Sequence, residues 1–302
     1  MRKILVFLMA AAFVITACTS GAGATPSGGA SSGASSPSAA APGSTAPSSA
    51  PASFAADSTM GKIKATGKLV CGTKFDVIAF GFKNPTSNEV EGFDADLCRE
   101  IANAIGVEPE FVEAISANRL PFLKEDKVDI VISTMTRNED RLKEIDFSKI
   151  YYVAGQKILV KSDSSYQSVA DLVAAKVKVC SGEGSTSEKN LQTEGVAQAD
   201  VVLFKTYAEA AQALLDGRCD AVSTDDSILF GLAAQNDGIE VRGEAFTEEP
   251  LGIGIKKDKD DFVQFINGVL EAMAADGRWK ALYDKNIKPY SGAEAPEPPL
   301  DK

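Results

Sequence analysis

Between residues 60 and 290, short apolar runs alternate with stretches whose apolar residues recur every three or four positions. The runs predict buried strands and the periodic stretches predict amphipathic helices. Leu69–Gly72 reads as a strand. Asp94–Ile105 reads as a helix with Asp94 at its N-cap and Leu97, Ile101, Ala104 and Ile105 on one face. Glu110–Val112 is a strand, Asn118–Glu125 a short helix, Val128–Ile132 a buried strand and Gln156–Val160 an extended one. A second set follows, with helices over 169–174, 185–193, 206–215 and 227–234 and strands over 177–180, 201–204 and 219–222. Leu251–Ile255 is extended, and Asp260–Ala275 is a long amphipathic helix.

Repeated strand–helix–strand units imply an α/β chain with parallel pairing and helices on both faces of each sheet. The pattern runs twice, which predicts two lobes. No Pro/Gly-rich linker separates them, so the crossings fall on the extended pieces near Gly155–Ile158 and Leu251–Gly254. The second lobe, 156–252, is then an insertion within the first, 57–155 and 253–290, and two strands form the hinge. Residues 291–302 are expected to be a flexible tail.

The first 56 residues have a different character. Arg2 and Lys3 precede the apolar run Ile4–Ile15, and Thr16, Ala17 and Cys18 follow. A charged start, a short apolar core and a small residue before the cut describe a secretory signal. Ile15-Thr16-Ala17-Cys18 resembles the bacterial lipoprotein box, which implies loss of residues 1–17 and diacylglyceryl attachment to Cys18. An ordinary secretory signal that ends in Cys is the alternative. Two or more acyl chains hold a protein at a membrane, where one gives only marginal binding. Residues 19–56 are almost wholly Ala, Ser, Gly, Pro and Thr. Such a stretch buries too little apolar surface to order itself, and it reads as a tether.

Composition narrows the function. The 302 residues are 44% hydrophobic and 24% charged, with a net charge of −11. An acidic chain is a poor nucleic-acid binder. The absence of histidine excludes Ser-His-Asp and Cys-His catalysis and His-ligated metals. Neither a metal site nor a cofactor is expected, and a CxxC pattern is missing. The run Ile4–Ile15 is too short to span a bilayer.

Several pieces occur in a fixed order: Gly92-Phe93-Asp94-Ala95-Asp96-Leu97, Val128-Asp129-Ile130, Ser133-Thr134-Met135-Thr136, Arg137–Arg141, Asp146-Phe147-Ser148 and Tyr151-Tyr152. Val179–Thr186 and Gly217–Asp225 continue the series. Together they resemble extracellular solute-binding protein family 3, the polar-amino-acid receptors of ABC importers. The resemblance covers most of residues 60–288. It implies the type II periplasmic-binding-protein fold, with two α/β lobes joined by a two-strand hinge and closing on one ligand in the cleft. It also implies a monomer that works with permease subunits in the membrane.

A free amino acid carries a carboxylate and an ammonium, and burying both requires a partner for each. In the family an arginine just past the Ser/Thr strand end takes the carboxylate, and Arg141 matches it. Its planar fork suits a carboxylate; a surface arginine paired with Glu139 or Glu144 is the plainer reading. Ser133, Thr134 and Thr136 follow a buried strand, at the end where open α/β sheets place ligands. The resemblance implies that Thr134 and Thr136 contact the ligand by backbone and hydroxyl. Gly184-Ser185-Thr186 opens a helix whose free N–H groups favour an anion, and the match gives Thr186 to the carboxylate. Ser185 also suits a helix cap. The family places an aspartate at Asp225 for the ammonium, although Asp226 is adjacent and Asp225 also suits an N-cap. Lys74 stands where receptors for cationic amino acids carry an aspartate. It argues for an acidic side chain, glutamate or aspartate, with the amides next, unless it is an exposed loop lysine or pairs with Asp76. Phe75 and Phe80 suit either a lid over the ligand or the core.

Five cysteines are odd for an exported protein. If Cys18 carries lipid, four remain. Disulfides Cys71–Cys98 and Cys180–Cys219 are expected, one per lobe, with free buried thiols as the alternative. Two other functions share the scaffold: a sensor that passes occupancy to a membrane partner, and a dehydratase acting on prephenate-like acids. No second positioned acid supports the enzyme.

Overall fold

The computed structural model describes residues 53–301. The expected signal segment, Cys18 and nearly all of the tether lie outside the described residues. Packing already begins at Phe54, whose ring meets Phe265 edge to face at 5.4 Å.

Two five-stranded sheets carry the fold. The first has the order Glu108–Glu113, Lys68–Thr73, Ile130–Val131, Glu249–Lys256, Ile145–Ala154. The second has the order Val201–Phe204, Val179–Gly182, Ala221–Asp225, Gln156–Lys161, Ile239–Arg242. Each sheet holds one strand antiparallel to its neighbours. In the first sheet it is Glu249–Lys256, and in the second Gln156–Lys161. Both are the strands by which the chain enters from the other lobe. Arriving at the cleft end, they must run against strands that leave toward it, so the expected all-parallel pairing becomes mixed. The first sheet takes the whole strand from Glu249, which pairs with Ala154; the expected lobe boundary at 253 falls inside it.

Helices form where an apolar stripe meets a sheet. In Phe93–Ile105 the residues Phe93, Leu97, Cys98, Ile101, Ala102 and Ile105 are buried, and Gly106 ends the helix at φ 83°. The N-cap is Gly92, not the expected Asp94, which lies one residue inside the helix and is fully buried. Thr206 and Glu209 cap Tyr207–Leu215 reciprocally. Both expected disulfides are present. Cys71–Cys98 joins the first strand to the Phe93–Ile105 helix across a Cα separation of 6.4 Å. Cys180–Cys219 joins the strand Val179–Gly182 to the segment leading into Ala221–Asp225, across a Cα separation of 5.9 Å.

An aromatic cluster backs the hinge. Phe93 meets Trp279 and Phe80 edge to face, and Trp279 stacks on Tyr283. The Trp279 indole N–H donates to the Tyr151 carbonyl at 2.9 Å. Residues beyond Gly292, expected as a flexible tail, return to this region, and Ala295 and Leu300 pack against the core. Among the described residues, no helix is long and apolar enough to cross a membrane.

Candidate functional site

The parallel strands of both sheets end toward a common cleft, and the polar residues that follow them meet there. After Val131 the chain turns through Ser133–Thr136. Thr134 sits at φ 43°, a region costly for a β-branched residue. Three anchors hold it. The Thr134 N–H donates to Asp94 Oδ2 at 2.8 Å, and Arg119 Nη1 donates to the carbonyls of Ser133 and Thr134 at 3.0 and 2.9 Å. Ser133 Oγ donates to the Ala114 carbonyl at 2.8 Å. Ser133 therefore anchors the turn rather than offering its hydroxyl hydrogen to the cleft. Thr134 Oγ1 and Thr73 Oγ1 are buried without a hydrogen-bond partner among the described residues. Asp94 also accepts the Tyr151 hydroxyl at 2.9 Å, and burial pushes its carboxyl up to about 6.

Arg141 lies on the single turn Glu139–Leu142, begun by Asn138, whose side chain accepts the Arg141 N–H at 2.9 Å. Its guanidinium is buried and donates to the Thr136 carbonyl at 2.6 Å and, across the cleft, to the Gly184 carbonyl at 3.4 Å. The surface pairing does not form; Glu144 pairs with Lys124 instead. Burial lowers the Arg141 pKa, with Glu249 and Asp225 opposing. Its remaining N–H donors are suited to an anion.

From the second lobe, Gly184 brings the chain close at φ 73°. A Cβ there would lie 2.8 Å from the Ala117 Cα of the first lobe, so only glycine permits this approach. Ser185 takes the N-cap position of Thr186–Thr193 but makes no side-chain cap bond. Asp225 ends its strand, is 4% exposed, and likewise makes no cap bond to the helix after it. Asp226 turns to the hinge and accepts the N–H groups of Ser227 at 2.7 Å and Gly155 at 3.4 Å. Asp225, not Asp226, is the carboxylate of the buried cluster. Burial, then the charges of Glu249 and Asp226, push it up to about 8 against Arg119 and Lys74.

Lys74 is 2% exposed and is no loop lysine. Its Nζ donates to Ser116 Oγ at 3.0 Å and lies 5.3 Å from the centre of the Tyr207 ring. Burial, then Arg119, lower its pKa to about 8. The pairing with Asp76 is replaced by another contact: Asp76 accepts the N–H groups of Tyr207 and Ala208 at 2.7 and 3.2 Å, across the cleft at a helix start. Phe80 belongs to the core, fully buried with its edge toward Tyr152 at 5.3 Å. Phe75 is half-buried with Lys83 over its ring. A buried cation–anion–cation set between two lobes suits a small zwitterion.

The model of the bacterial extracellular solute-binding proteins, family 3, matches residues 69–289. The chain belongs to this family. The ABC transporter glutamine-binding protein GlnH of Bacillus subtilis (strain 168) is 43% identical to this family 3 protein over 233 residues, 76% of this chain and 85% of the relative. The glutamate-binding protein GluB of Corynebacterium glutamicum is 31% identical, covering 73% and 79%. The crystal structure of the ancestral amino acid-binding protein AncCDT-1, a precursor of cyclohexadienyl dehydratase, superposes with a TM-score of 0.71 at 37% identity, over 76% of this chain and all of that one. Both curated relatives are named as binding proteins rather than enzymes.

Sequence reasoning missed the residues that organise this solute-binding cleft. Glu249, at the start of the returning hinge strand, is 3% exposed. It accepts Thr136 Oγ1 at 2.6 Å and Thr186 Oγ1 at 2.9 Å on one oxygen, and Asn190 Nδ2 at 2.6 Å and Thr247 Oγ1 at 3.0 Å on the other. Gln156 accepts Asn190 at 2.8 Å and donates to Ser223 Oγ at 2.9 Å. Arg119 and Tyr207 complete the wall. One signal was legible: Glu249 and Gln156 are polar residues at the mouths of apolar hinge strands, where only paired groups can be buried.

Proposed function

We propose that this protein captures a polar amino acid of the glutamine/glutamate class outside the cytoplasmic membrane and delivers it to the permease subunits of an ABC importer. One observation carries the reading: Arg141 from one lobe and Asp225 from the other are buried at the same cleft, with Lys74 as a second cation. The ligand carboxylate takes Arg141 and the N–H groups near Thr134, Thr136 and Thr186. The ammonium takes Asp225. The end of the side chain meets Lys74, which repels lysine or arginine and favours an oxygen, carboxylate or amide. The glutamine and glutamate named in the relatives fit that oxygen. Lobe closure then makes the bound state recognisable to the membrane subunits.

Residues 1–17 serve as the signal, Cys18 as the lipid attachment and the stretch to about 56 as the tether. The protein acts as a lipid-anchored monomer on the outer face of the membrane. Micromolar capture needs about 8 kcal/mol, within reach of several charge-assisted hydrogen bonds. A melting panel of the twenty amino acids tests the reading. Glutamine or glutamate should give the largest rise, and Arg141→Ala should abolish it, with a loss of a hundredfold or more in titration calorimetry. A top ligand that is cationic, or unchanged affinity in Arg141→Ala, overturns it.

A further inference from the structure

Glu249 bonds residues of both lobes through one side chain. A carboxylate offers about four acceptor positions, and here all are filled: Thr136 from the first lobe, Thr186 and Asn190 from the second, and Thr247 from the connection between them. No acceptor position is left for a ligand ammonium, so Glu249 acts on binding through these partners and through its charge on Asp225. Both threonine hydroxyls reach the same oxygen, at 2.6 and 2.9 Å, and lie 3.3 Å from each other, so the shorter contacts favour placing both hydrogens on Glu249. Toward the cleft, Thr136 and Thr186 then present backbone N–H groups and hydroxyl lone pairs, not hydroxyl donors. A carboxylate arriving there meets N–H groups and Arg141, while the hydroxyls favour a donor.

We infer that Glu249 is a positioning residue that ties Thr136 and Thr186 across the cleft, fixes the direction of their hydroxyls and thereby sets both lobe closure and affinity for the amino acid. This deepens the proposed function and rests on it only for the ligand arm of the test. Several observations agree. The carboxylate is buried yet fully hydrogen-bonded, so its burial cost is met by neighbours from both lobes. It sits on a hinge strand, so opening the cleft must pull Thr136 away from it or drag the strand. The same donor pair flanks the Arg141 bond to Gly184, another polar tie across this rim.

The test compares the full chain in detergent with Glu249→Gln, which keeps the shape but faces the four donors with an amide nitrogen on one side. Without ligand, amide hydrogen exchange over 133–137 and 184–190 should speed at least tenfold in the variant, while exchange in the sheet centres stays unchanged. With L-glutamine as the probe, the Kd should rise at least tenfold. The pH at which binding reaches half its plateau should also move downward. That readout follows Asp225, which is faced by Lys74, Arg119, Arg141, Tyr151, Tyr152, Tyr207, Asp226 and Glu249; removing the Glu249 charge eases its ionisation. A packing role alone would not move it. Thr186→Val removes one of the four bonds and should reproduce the local exchange change at smaller amplitude if Glu249→Gln fails to fold. Unchanged exchange at both rims overturns the latch whether or not glutamine binds. Glutamine failing to bind the unmodified protein, with rim exchange still altered in the variant, overturns the ligand reading instead and supports the latch.

Discussion

At the scale of single residues, the cleft is governed by burial acting on charge. The Asp225 carboxyl moves from 3.8 to about 8 and Asp94 to about 6, both mainly because burial penalises the ionised form. Between about pH 4 and pH 8 the folded chain therefore holds protons that the unfolded chain has released, and ligand-free stability falls as pH rises through that window. Lys74, lowered from 10.5 to about 8, acts above it: the unfolded chain then binds the extra proton, and stability recovers toward pH 10. In the proposed binding mode the ligand ammonium pairs with ionised Asp225 and removes the first loss. The ligand-induced rise in Tm should thus be larger at pH 8 than at pH 5, and Asp225→Asn should flatten the difference. Scanning calorimetry across pH, with and without glutamine, checks this; a pH-independent increment would refute the assignment. Arg141, Thr186 and Asp225 were singled out because the family resemblance assigns roles to those positions, near strand ends or a helix start. Ser133 and Phe80 could not be sorted in the same way, because a hydroxyl or a ring beside a cleft turns inward or outward according to neighbours distant in sequence.

At the scale of elements, most of the strands and helices read from the sequence lie within a residue or two of the structure, since each records its own burial period. Asp260–Asp276 buries Phe262, Ile266, Val269, Leu270 and Met273 as the spacing requires. The long strand Ile145–Ala154 escaped the reading because its first half mixes apolar and polar residues, and the small sheet Asp76–Val77, Gly81–Lys83, Val90–Glu91 because its strands are two or three residues long. The helices Thr59–Thr66 and Arg278–Asn286 and the strand Ile239–Arg242 were not read either. The disulfides pin the elements that end at the cleft. Cys71 lies two residues before Thr73, and Cys180 two before Gly182. Closing loops of 27 and 39 residues contributes about 3–4 kcal/mol each on the chain-entropy account. The pair substitution Cys180→Ala with Cys219→Ala should lower the unfolding free energy in urea by about that much, while leaving most of the glutamine affinity at low denaturant. No loss of stability would contradict this.

At the scale of the whole molecule, the two sheets repeat one plan, each with its incoming strand reversed, and the hinge is the pair of strands that cross. Gly155 marks one crossing; a Cβ there would lie 2.4 Å from that of Ala245. The net charge falls from −11 to −13 once Arg2 and Lys3 leave with residues 1–17. So acidic a body gains nothing from an anionic bilayer, and the membrane residence proposed above rests on the lipid proposed at Cys18. Cys18→Ser should therefore move the protein from the membrane fraction to the medium or periplasm with its ligand affinity intact. Retention at the membrane would rule the anchor out.

By itself the sequence determined the two-lobed α/β plan and its repeated elements, which follow from local periodicity. It left the cysteines open between two disulfides and free thiols, and the cleft residues came with the family resemblance. Only the tertiary structure decided that Asp225 rather than Asp226 enters the cleft, that Asp94 and Ser133 brace a turn, and that Glu249 gathers donors from both lobes. Thr136 and Glu249 are 113 residues apart. The direction of a hydrogen bond depends on which donors fold against an acceptor, and no spacing along the chain encodes that.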